Sequence, residues 1–164
     1  AHRQKWTGRR RRTAMNKRAC LRWILTMSFG MVAASVTLAA ETPAALPGVK
    51  VVTAEEVKKM LDSGVPVIDT RVAAEYAEKT IKGAISVPYK EKSAKEPGFD
   101  AAQDQFDLAK LPANKAAPLV FFCNSGECWK SYKASVVAQK AGYTKINWFR
   151  GGFPEWSSKG LPTQ

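Results

Sequence analysis

The run "APLVFFC", Ala117 to Cys123, constrains the fold more than any other stretch of the chain. It is apolar at every position, without alternation, and it stops at a thiol. A strand with no polar face is buried on both sides, the condition found at the centre of a parallel sheet. The segment that follows, "SYKASVVAQKAGY", reads as a helix closed by Gly142 as its C-terminal cap. The rest of the chain repeats this alternation. Thr53 and Glu56 form a capping box before the apolar stripe Val57, Met60 and Leu61. "VPVID" (Val65 to Asp69) reads as a buried strand, Ala73 to Glu78 as a short helix, and "KGAISVPY" holds a brief strand ended by Pro88. Residues 90–115 read mostly as loop, with a candidate helix near Ala101 to Leu108. "INWF" is a further strand, and "GGFPEWSSKGLP" a glycine turn, a short helix and an exit. Strands alternating with helices imply an α/β fold with a parallel sheet.

In such sheets ligands bind beyond the C-terminal strand ends, which is where Cys123 falls. The loop "NSGECW" (Asn124 to Trp129) then leads into Lys130 and Ser131 at the expected helix start. Gly126 permits a sharp bend. A loop curling into a helix N-terminus aims N–H groups inward, and the helix dipole adds to them, making an anion cradle. The candidate cradle is Asn124, Ser125, Gly126, Glu127, Cys128, Trp129, Lys130 and Ser131, with Lys130 as its positive charge. A thiol pointing into it has a lowered pKa and needs no histidine to activate it. Such a site suits sulfur carrying an anionic group, as in thiosulfate or a cysteine persulfide. The alternatives are a small buried Cys123 that merely caps the strand, and a Cys128 that is resolving, packed, or joined to Cys123 in a disulfide.

Composition narrows the field. The net charge of +12 suggests nucleic acid until it is located: residues 1–23 hold nine Lys/Arg and no acid. Beyond residue 40 the balance is 17 basic to 14 acidic residues, a net of +3. No aromatic-rich basic surface follows the "RRRR" run, so no nucleic-acid partner is expected. His2 is the sole histidine, which removes the base of a Cys-His or Ser-His-Asp mechanism. It also removes any histidine metal site, and no metal or cofactor is expected.

From Met15 the chain has a basic start, an apolar stretch from Trp23 to about Ala40 and small residues at its end. It reads as residues 15–40 forming a signal peptide, cleaved after Ala39 or Ala40. Residues 1–14 read as a non-native or upstream extension, residues 41–48 as a linker, and residues 49–162 as the domain. A periplasmic or secreted monomer is expected. The rival is an uncleaved anchor facing the periplasm, since the apolar stretch sits at the short limit for spanning a bilayer.

The domain resembles a single-domain rhodanese, a thiosulfate-type sulfurtransferase. Four segments match in family order: "VIDTRVAAEY", "IKGAISVP", "VFFCNSGE" and "WFRGGFPEWSSKGLP". The resemblance implies five parallel strands flanked by helices on both faces, with Cys123 as the nucleophile. "ECW", with its second cysteine, is similar to an exported bacterial subgroup. Asp69 and Arg71 lie where a charge pair can brace the rim, and Glu75 is four residues from Arg71, a helical pairing distance. Arg150, Gly151 and Gly152 are expected beside the cradle, and Trp156 reads as a core plug. The usual family loop runs from cysteine through four residues to arginine or threonine. Aligned back from Gly142, Lys130 and Ser131 take the places of that residue and the next, making the loop two residues longer. The expected reaction moves sulfane sulfur from a small anionic donor through a Cys123 persulfide to cyanide or a thiol. The alternatives are a redox protein cycling Cys123 and Cys128 with a periplasmic redox partner, and a non-catalytic binding module on this fold.

Overall fold

The structure is a computed structural model, and it describes residues 40–164. The extension 1–14 and all but the last residue of the expected signal peptide lie outside them. Among the described residues no helix is long and apolar enough to cross a membrane.

Nine elements follow in chain order: β1 (Lys50–Val51), α1 (Ala54–Asp62), β2 (Val67–Asp69), α2 (Ala73–Glu78), β3 (Ile85–Ser86), β4 (Leu119–Phe122), α3 (Trp129–Lys140), β5 (Ile146–Phe149) and α4 (Gly152–Ser158). The strands form one parallel sheet in the order β1-β5-β4-β2-β3, so the apolar β4 is central. All four β4 residues are fully buried, each contributing about 1.5–3 kcal/mol by leaving water. Its pleat divides them. Val120 and Phe122 pack with Val57 of α1 and Trp156 of α4, while Leu119 and Phe121 pack with Ala134 and Ala138 of α3. Helices therefore cover both faces, as expected.

The capping box of α1 is present: Thr53 Oγ1 accepts from the Glu56 N–H, and a Glu56 carboxylate oxygen accepts from the Thr53 N–H at 2.9 Å. Gly142 follows α3 at φ +96°, a left-handed conformation suited to glycine. Trp156 is fully buried.

β1 completes the expected five strands, pairing with β5 through two residues only. Three expectations change. The candidate helix near Ala101 to Leu108 is instead two single 3₁₀ turns, Ala101–Gln103 and Leu108–Lys110, each begun by an aspartate that accepts a backbone N–H. The segment 41–48 is not a free linker: Thr42 and Leu46 are buried, and Leu46 joins Trp129, Tyr132 and Trp148 in one apolar cluster. The fold also runs past residue 162, because Thr80 and Gln164 exchange both backbone hydrogen bonds.

Candidate active site

Cys123 follows the last residue of β4, on the central strand. Helix α3 begins at Trp129 with Cys128 as its N-cap residue. The helix thus starts earlier than the expected Lys130, because Trp129 and Tyr132 are drawn into the apolar cluster with Trp148. Only Asn124, Ser125, Gly126 and Glu127 separate Cys123 from the cap residue Cys128, so the loop to the helix is shorter than the count to Lys130 implies.

Cys123 and Cys128 form a disulfide, their Cα atoms 6.1 Å apart, within the ordinary span for such a bond. The loop between them is pinned from several sides. The Cys128 N–H donates to the Ser125 carbonyl at 3.0 Å, and the Asn124 side chain donates to Glu75 Oε1 at 2.7 Å. The Gly126 carbonyl accepts from the Thr42 N–H at 2.8 Å and from its hydroxyl at 2.6 Å. The N–H groups of Asn124, Ser125 and Gly126 donate to nothing among the described residues. They are unengaged donors beside the N-terminus of a twelve-residue helix, a place where anions are favoured.

The rim residues sort by what they touch. Asp69 and Arg71 pair as expected, Nε to Oδ1 at 3.1 Å and Nη2 to Oδ2 at 2.7 Å, with Thr80 Oγ1 also donating to Asp69 Oδ2. The Arg71 guanidinium lies 4.4 Å from the Phe153 ring centroid and donates to the Lys79 carbonyl. It is buried and internally satisfied, a brace. Glu75 does not pair with Arg71. Arg71 precedes α2, whose N-cap is Val72, so helical spacing does not apply, and Glu75 holds Asn124 instead. Arg150 extends from the end of β5 to Glu41, Thr42 and Pro43, its Nη2 donating to the Thr42 carbonyl at 2.9 Å. A methyl group on Gly126 would sit 2.8 Å from this guanidinium. Gly152, at φ +62°, lies against the Cys123 carbonyl and the Asn124 backbone with no room for a Cβ, and the Phe153 N–H donates to the Cys123 carbonyl at 2.8 Å. Gly151 is equally confined, by the Glu155 carboxylate, which itself accepts from the Ala54 N–H.

The side chains of Trp129 and Ser131 are engaged in the core rather than beside Cys123. The Trp129 ring is buried, with its Nε1 donating to the Ala40 carbonyl, and the Ser131 hydroxyl is buried and accepts from Trp148 Nε1 at 3.0 Å. Glu127 is exposed, and Lys130 is half-buried in the first turn of α3. The Lys130 ammonium makes no hydrogen bond or ion pair among the described residues.

One polar cluster escaped sequence reasoning. Lys133, on α3, is fully buried and pairs with Glu91 at 2.9 Å and Asp104 at 3.9 Å, while donating to the Ser93 hydroxyl and carbonyl. Asp104 also accepts from the Tyr89 hydroxyl and the N–H groups of Lys92 and Ser93. Burial raises the Asp104 pKa, but hydrogen bonds from Ser93, Lys92 and Tyr89 outweigh it and hold the carboxyl at about 2. Burial, followed by the Asp104 hydrogen bond, pushes the Tyr89 phenol well up. Its signal was a lysine within an apolar helix, but its partners lie far away in sequence. No group of three or more His, Cys, Asp or Glu side chains able to hold a metal occurs among the described residues.

The Rhodanese-like domain family model matches residues 53–159. The chain is 29% identical over 105 residues to Thiosulfate sulfurtransferase 16, chloroplastic, of Arabidopsis thaliana, covering 64% of this chain and 84% of that protein. Among solved structures, the BH2092 protein from Bacillus halodurans superposes with a TM-score of 0.53 at 18% identity, over 70% of this chain and 76% of that one. The thiosulfate sulfurtransferase from Pseudomonas aeruginosa superposes with a TM-score of 0.51 at 21% identity, over 71% of this chain and 20% of that one. The chain belongs to the rhodanese-like domain family.

Proposed function

We propose, from that membership, that the protein is a sulfurtransferase in which Cys123 carries sulfane sulfur between a thiosulfate-like donor and cyanide or a thiol. The supporting observation is the position of Cys123: it follows the last residue of the central strand, beside unengaged loop N–H groups and close to the start of α3. The Cys123 thiolate attacks the outer sulfur of the donor. The new S–S bond forms as the donor's own S–S bond breaks, and sulfite leaves with the electron pair. The acceptor then attacks the terminal sulfur and restores the thiolate. Fixed N–H dipoles favour the anionic states along this path. The activity of the Arabidopsis relative, as its name gives it, supports the same reaction class. The leader read from Met15 to Ala40 supports export to the periplasm.

The disulfide favours a second reading of the same site. Once Cys123 carries a persulfide, the Cys128 thiolate attacks the Cys123 sulfur, hydrogensulfide leaves, and the Cys123–Cys128 bond forms. Turnover by that route consumes a dithiol reductant from a redox partner.

Cys123→Ser tests the main reading. Serine has no thiolate and holds no sulfane sulfur, so thiosulfate-to-cyanide transfer by the reduced protein is expected to vanish. Wild-type activity in that variant would remove Cys123 from the role.

A further inference from the structure

The two cysteines of the disulfide are not equally exposed. Cys123 is 1% exposed, its carbonyl held by the Phe153 N–H and close against Gly152, whereas Cys128 is half-buried at the helix cap beside the exposed Glu127. Thiol–disulfide exchange requires the incoming thiolate to reach one sulfur in line with the bond, and it runs faster when the departing sulfur is the more stable thiolate. Access selects the direction here. Cys128 is the more exposed of the two cysteines. Cys123 directly precedes the Asn124, Ser125 and Gly126 N–H groups, which donate to nothing among the described residues.

We propose that Cys128 is the entry point for a thiol reductant, and that attack there expels Cys123 directly as the thiolate ready for sulfur transfer. The reductant's sulfur bonds to Cys128 Sγ, the Cys128–Cys123 bond breaks, and its electron pair goes to Cys123. A second reductant thiolate then removes the first as a disulfide and leaves Cys128 as a thiolate. Two thiols are oxidised and one protein disulfide is reduced. The substrate class is a thiol slender enough to reach a helix cap, or a dithiol protein with a protruding cysteine. The value of releasing Cys123 rests on the sulfurtransferase reading, but the direction of attack does not.

Glutathione is the probe. The oxidised chain is mixed with excess reduced glutathione and quenched in acid at successive times. Free thiols are then capped with N-ethylmaleimide at mildly acidic pH, where exchange stays slow, and the fragmented peptides are weighed. The expected mixed disulfide is on Cys128, with the cap on Cys123. Glutathione on Cys123, an even split, or loss of the disulfide with no Cys128 adduct at any time overturns the proposal. The two readings fail separately. Adducts on Cys128 with no sulfur transfer by the reduced protein sink the sulfurtransferase reading alone. Adducts on Cys123 with normal transfer sink this one alone.

Discussion

The loop from Cys123 to Cys128 and the connection across residues 87–118 both lack regular strands, yet they are ordered by opposite means. The loop is held at close range by backbone groups and glycines: the Phe153 N–H on the Cys123 carbonyl, Gly152 against Asn124, and Thr42 on Gly126. The connection is held by apolar side chains such as Tyr89, Phe99 and Leu111 and by a buried polar cluster centred on Lys133, which reaches Glu91, Ser93 and Asp104 from α3. The first arrangement keeps N–H groups unengaged. The second leaves its polar atoms turned on one another. Side-chain changes in the loop should therefore alter chemistry, and changes at Lys133 should alter stability.

The largest expected effect is on that cation. Lys133→Met leaves Glu91 and Asp104 without their buried partner. Breaking such a pair costs about 3–5 kcal/mol. Urea unfolding should show this loss, while sulfur transfer per folded molecule stays near wild type. A loss below about 1 kcal/mol, the level of a surface pair, would break the contrast between the two regions.

Asp104 sharpens the same contrast through pH. Its folded pKa of about 2 lies below its ordinary value of 3.8. A depressed carboxylate stabilises fully above the unfolded pKa and loses that contribution as pH falls through the folded one. The window is therefore about pH 4 down to about pH 2, and the contribution is about 2 kcal/mol. Asp104→Asn should flatten that part of the acid-unfolding curve. An unchanged curve would mean that Asp104 gains nothing from its hydrogen bonds.

The smallest effect belongs to Lys130. A cation in the first turn of a helix opposes the dipole, typically by about 0.3–1 kcal/mol, so an anion bound there would offset its cost. Lys130→Ala should raise KM for thiosulfate about two- to fivefold at low salt, with the difference fading as salt rises. KM values equal to wild type at every salt concentration would place the lysine outside the cradle.

What the sequence disclosed follows the same division. The central strand was legible because burial on both faces leaves an unbroken apolar run. Cys123 was legible because that run ends abruptly at a thiol. The cap of α1 was legible because Thr53 and Glu56 are three residues apart. The Asp69–Arg71 pair is legible because its members are two residues apart, whereas the four-residue spacing of Arg71 and Glu75 misleads, since α2 begins only after Arg71 and Glu75 accepts from Asn124. The start of α3 was misplaced because Trp129 and Ser131 owe their positions to Trp148, on another strand. A lysine within α3 is the single local trace of the anchor, and nothing local marks 41–48 as part of the fold, because the partners of each are met only after the chain has closed. The "TP" of the supposed linker conceals Thr42 and Pro43, which hold Arg150.

The account rests on Cys123 as the sulfur that carries the transferred atom. The most direct test is peptide-resolved mass measurement of the reduced protein after exposure to thiosulfate. The expected result is one added sulfur atom on Cys123, removed by cyanide with release of thiocyanate. A sulfur atom found on Cys128 instead, or no gain of sulfur at all in fully reduced protein, would contradict it.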